Sequence, residues 1–78
     1  MRRKEQKLVI AFHTTADAMA FESACKAEGM PGRLIPVPRE ITAGCGMAWC
    51  AVTDDREQLV NLIEKEKIEI QEIHTCLL

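Results

Sequence analysis

One stretch of this chain carries residue types that could do chemistry together: Pro36-Val37-Pro38-Arg39-Glu40-Ile41-Thr42-Ala43-Gly44-Cys45-Gly46. A cysteine sits between two glycines, with a fixed cation, Arg39, six residues upstream. Glycines remove Cβ bulk and let the backbone turn its N–H groups inward. Successive inward amides form an anion-binding concavity, and a thiolate, the reactive form of cysteine, is an anion. Gly44 and Gly46 therefore frame Cys45 as a candidate exposed nucleophile. The alternative is a glycine turn in which the cysteine is incidental.

The other three cysteines are Cys25, Cys50 and Cys76. An even count in a short chain suggests disulfides only in an oxidising compartment, so reduced thiols are expected. Structural zinc is disfavoured. Cys45 and Cys50 have a spacing at the wide limit for a ligand pair, but no matching Cys or His pair completes a site. No metal and no other cofactor is expected.

The elements that must hold Cys45 follow from patterning. Leu8–Phe12 is an apolar, β-rich run read as a strand buried on both faces. Thr14-Thr15-Ala16-Asp17 has the form of a helix start. The helix is predicted over Thr15–Glu28, with Ala18, Phe21, Ala24 and Cys25 on the core face and Glu22 placed to pair with Lys26 outside. Gly29 supplies the C-terminal cap and Pro31 forbids continuation. Arg33–Pro38 reads as a strand demoted to a sheet edge by its prolines. Met47–Val52 reads as a second central strand. Trp49 faces away from Cys50 there, either on the open face as a homodimer contact or capping the core. Asp54-Asp55-Arg56-Glu57 resembles a capping box for a helix ending near Lys67, with Leu59, Leu62 and Ile63 as its inner stripe. Ile68–Thr75 is read as the last strand.

The basic start over residues 1–7 is expected to be a flexible, solvated lead-in to one domain over 8–78. The apolar run after it is too short for a signal core or a membrane span, so a soluble, cytoplasmic protein is expected. Net charge is −2 over 78 residues with three aromatics, Phe12, Phe21 and Trp49. That leaves neither the basic footprint nor the stacking platform of a nucleic-acid binder.

The element order, strand-helix-strand-strand-helix-strand, points to an α+β two-layer sandwich. It would be a ferredoxin-like βαββαβ fold with both helices on one face of an antiparallel sheet ordered 4-1-3-2. In that topology the end of the first strand, the end of the second and the start of the third share one sheet edge. His13, the helix-start amides around Thr14 and Thr15, Arg39 and Cys45 should then meet there. A helix N-terminus, a guanidinium and an imidazole each favour a thiolate. Cys50 would stand roughly 16 Å along the strand from Cys45, outside the roughly 7 Å Cα separation a disulfide allows. His74 and Cys76 should lie at the opposite end of the sheet.

The segments Gly32-Arg33-Leu34-Ile35-Pro36-Val37-Pro38-Arg39, Gly44-Cys45-Gly46 and Phe12-His13-Thr14-Thr15-Ala16-Asp17-Ala18 resemble a family of small selenium/sulfur carrier-like proteins. The similarity spans roughly residues 8–75. The resemblance implies that Cys45 is the carrier residue, holding sulfur or selenium as a persulfide or selenosulfide between a donor and an acceptor protein. Two other functions compete. A non-catalytic interaction or anion-binding module would need only the glycine loop or the open sheet face. A thiol redox protein would normally carry a nearby resolving cysteine, such as C-x-x-C, which is absent.

Overall fold

The computed structural model describes residues 5–39, 41 and 46–77. Its elements are β1 (Gln6–Ala11), α1 (Thr15–Glu28), β2 (Arg33–Pro36), β3 (Met47–Val52), α2 (Arg56–Glu66) and β4 (Glu72–Leu77), with a 3-10 turn at Thr53–Asp55. The sheet is antiparallel throughout and ordered β2-β3-β1-β4, the α+β ferredoxin-like arrangement that the element order predicts. The two most apolar strands are central and the proline-bearing strand is an edge. Gln6 and Lys7, expected in the lead-in, belong to β1.

Local chemistry explains most boundaries. Thr14 caps α1: its Oγ1 accepts the Asp17 backbone N–H at 3.1 Å and donates to the Asp17 carboxylate at 2.8 Å. Gly29 closes the helix at φ 69°, where a side chain would be strained, and Met30 N–H reaches the Cys25 carbonyl at 2.8 Å. α2 ends similarly, but with Lys67 in the left-handed region at φ 55°.

Four expectations are corrected. Asp55 makes no side-chain capping bond, because the chain enters α2 through a 3-10 turn. β4 begins at Glu72 instead of Ile68: residues 68–71 are connection, and the strand runs on to Leu77. β2 stops at Pro36, although one further ladder-like bond joins Val37 N–H to the Gly46 carbonyl at 3.0 Å. The helices are linked by Lys65–Glu28 at 3.4 Å, and the expected Glu22–Lys26 pair does not form.

The two sheet faces are built differently. Under the helices lie Leu8, Ile10, Phe12, Ala18, Phe21, Cys25, Trp49, Ala51, Leu59 and Leu62, all buried. Phe21 anchors this layer. Its ring stands 5.6 Å from Phe12 and 5.5 Å from Trp49, the latter edge-to-face at 88°, a geometry aromatic quadrupoles favour. Trp49 is 3% exposed. This overturns its placement on the open face and supports the core-capping alternative. The opposite face carries a thinner cluster: Val9, Ala11, Ala48 and Cys76 from the strands, with Ile41 folded onto them and Ile35 and Val37 alongside.

Candidate functional site

The site is built where β1 leaves the sheet and β3 enters it. Ala11 pairs with Ala48, and two residues beyond that pair stand His13 on one side and Gly46 on the other. Pro36 pairs with Met47, so the end of β2 reaches the same edge. Cys45 and Gly44 lie outside the described residues, as do Glu40, Thr42 and Ala43.

The frame around that segment is specific. Gly46 has φ 75°, a left-handed conformation open to glycine and costly for other residues, and an added Cβ there would meet nothing within 4 Å. The glycine after the cysteine is thus required by backbone conformation rather than by crowding. Its carbonyl is held by Val37 N–H. On the other side, Ile41 N–H donates to the Pro38 carbonyl at 3.0 Å, and the Ile41 side chain is buried at 6% exposure against the sheet. The segment that contains Cys45 therefore leaves and rejoins the sheet at fixed points.

His13 and Arg39 are exposed. Thr14 and Thr15 are exposed at the start of α1. The cap consumes the Asp17 N–H, which leaves the N–H groups of Thr15 and Ala16 as the first-turn donors without an intrahelical acceptor. Asp17 also puts a carboxylate in that first turn, which offsets part of the helix's positive end.

The remaining thiols separate clearly. Cys25 is fully buried in the helix-side core, and desolvation pushes its thiol up to about 11. Cys76 is buried at the far end of the sheet, paired in register with Lys7, as its position in β4 required. His74, expected at that far end, instead sits at mid-sheet opposite Val9, because β4 runs on to Leu77, and it contacts Glu72 at 3.0 Å. Cys50 is half-buried in the middle of β3, on the face away from the helices. Among the described residues no His, Cys, Asp and Glu side chains cluster as a metal site, and no helix is long and apolar enough to cross a membrane.

Ile41 is the positioning residue that sequence reasoning missed. Its signal was present: a lone β-branched residue inside an otherwise polar, glycine-rich segment. The family model described as "Putative Se/S carrier protein-like" matches residues 7–75. Comparison with curated proteins and with solved structures gives no match.

Proposed function

Because this chain belongs to the Se/S carrier protein-like family, we propose that Cys45 carries sulfane sulfur or selenium as a persulfide or selenosulfide and passes it to a partner enzyme. The observation that carries the reading is the left-handed Gly46, with the family match running through it. A glycine directly after the cysteine adds no side chain beside it in the sequence, which suits an accessible thiol. His13, Arg39 and the N–H groups of Thr15 and Ala16 belong to the same sheet edge and supply positive character for the thiolate.

The chemistry is balanced without an external oxidant. The Cys45 thiolate attacks the terminal sulfur of a donor persulfide, and a new S–S bond forms on Cys45. The donor's S–S bond breaks, and its electron pair leaves on the donor thiolate. Delivery repeats the step with Cys45 as the leaving group. A carrier of this kind needs an accessible thiol and docking partners, not a deep pocket.

The test is to incubate the protein with a cysteine desulfurase and cysteine, then map added sulfur by mass spectrometry. Wild type should gain sulfur on the peptide containing Cys45, and Cys45→Ala should not. Equal gain in both proteins, or none in wild type, would sink the reading.

A further inference from the structure

A second thiol stands in a groove that the carrier chemistry at Cys45 does not use. The groove, about 340 Å³, lies on the sheet face away from the helices, at the β2 edge. Its walls include Pro31, Gly32, Arg33, Cys50, Val52 and Lys7. Arg33 is the direct cross-strand partner of Cys50, and Lys7 pairs with Val52, two residues further along β3. Antiparallel partners project to the same face, so the Arg33, Cys50, Val52 and Lys7 side chains share it. Direct pairs place Cβ atoms about 4.5–5.5 Å apart and diagonal pairs about 7–8 Å apart. One nucleophilic sulfur is thus flanked by two cations.

The charge balance favours an anion. Arg33 has no acidic partner among the described residues, whereas Lys7 contacts the exposed Glu5 at 3.3 Å. An exposed pair of that kind holds Lys7 only weakly. Gly32, at the end of the groove, backs onto the helix-side core. The indole Nε1 of Trp49, in a side chain 3% exposed, is buried without a hydrogen-bond partner. It lies directly against Gly32, where an added Cβ would come within 2.5 Å of it and 2.7 Å of the Cys50 carbonyl oxygen. This donor lies on the helix side of the sheet, opposite the face that carries Cys50 and Arg33, so crowding against it and the Cys50 carbonyl excludes a side chain at Gly32.

We propose that this groove is a loading site for small, acidic persulfides, in which Arg33 and Lys7 hold the donor's carboxylates and Cys50 takes its sulfane sulfur. The Cys50 thiolate attacks the terminal sulfur of the donor. The S–S bond to the donor breaks, its electron pair departs on the donor thiolate, and the terminal sulfur is left bonded to Cys50. Nothing is oxidised or reduced overall. The inference rests on the carrier reading, because it assigns a second entry point for the same cargo. It does not require Cys45 and Cys50 to touch.

The experiment compares glutathione persulfide, which is acidic, with cysteamine persulfide, which is cationic. Sulfur gained on the Cys50 peptide is followed over time by mass spectrometry in the full chain. The acidic donor should load Cys50 about tenfold faster at low salt, within the range that electrostatic focusing supplies. Arg33→Glu and Lys7→Glu, with folding verified by circular dichroism, should each erode that preference, and added salt should erode it in wild type. Equal rates for the two donors, a preference that survives both charge reversals, or no sulfur on Cys50 would each overturn the proposal. The two readings fail separately. Loss of desulfurase loading at Cys45 with an intact donor preference at Cys50 would remove only the Cys45 role. Loading at Cys45 with no preference at Cys50 would remove only the groove.

Discussion

The two faces of the sheet show how differently one set of strands can be used. The helix side is filled with large rings and branched chains, Phe12, Phe21, Trp49, Leu8, Ile10 and Leu59. The far side is paved with Ala11, Ala48 and Val9 and covered by a few residues, chiefly Ile41. Alternation along β1 and β3 makes this division: Leu8 and Ile10 go one way, Val9 and Ala11 the other. The thick face supplies most of the stability. The thin face leaves room for Ile41 and for the groove at Cys50. The cysteines make the same point. Cys25 on the thick side is sealed off from water, whereas Cys50 on the thin side borders a groove with two cations.

The sharpest way to break this comparison is to truncate one anchor on each face. Phe21→Ala removes the ring that touches both Phe12 and Trp49 and should cost about 3–5 kcal/mol, a large share of the total stability of about 5–15 kcal/mol usual for small proteins. Urea unfolding followed by Trp49 fluorescence would measure it. Ile41→Ala on the thin face should cost nearer to about 2 kcal/mol, at the low end for such truncations because its small-residue surroundings give it less to lose. It should also speed proteolytic cleavage between residues 37 and 46, an effect Phe21→Ala should not share until the whole chain unfolds. Equal global losses, with no local change in cleavage, would erase the distinction between the faces.

A smaller effect sharpens the contrast between thiols. Burial pushes the Cys25 thiol of the folded chain up to about 11. As pH rises from about 9 toward 11, the unfolded chain loses this proton first. The neutral thiol's contribution is therefore complete below about 9 and is lost as pH climbs through the folded value. Wild type should lose stability more steeply than Cys25→Ala across that window, measured by urea unfolding at stepped pH. Parallel slopes would mean that burial does not govern this thiol.

Much of this architecture was legible beforehand, and particular residues show why. α1 was bounded correctly because both ends carry strong local signals, the Thr14 cap and the left-handed Gly29. Strand order followed from apolarity and prolines. α2 and β4 were placed less well. An acidic pair before Arg56 imitates a capping box, but tertiary routing through the 3-10 turn at Thr53–Asp55 takes precedence over the local motif. Ile68 and Ile70 look like strand residues, yet they pack partly buried against the helix-side core as connection. Trp49 had two faces open to it in sequence, and only packing against Phe21 decides between them. Once Trp49 turns inward, Cys50 must turn outward beside Arg33, and no local pattern in the sequence reveals that neighbour.

The most direct measurement is a pH profile of alkylation resolved by cysteine, using a neutral alkylating reagent and peptide mapping on the folded protein. Cys45 should react with a midpoint below the ordinary thiol value of about 8.5, while Cys25 stays unlabelled until the chain unfolds. A Cys45 midpoint at or above that value, or labelling no faster than Cys25, would contradict a sulfur atom made ready for transfer by its surroundings.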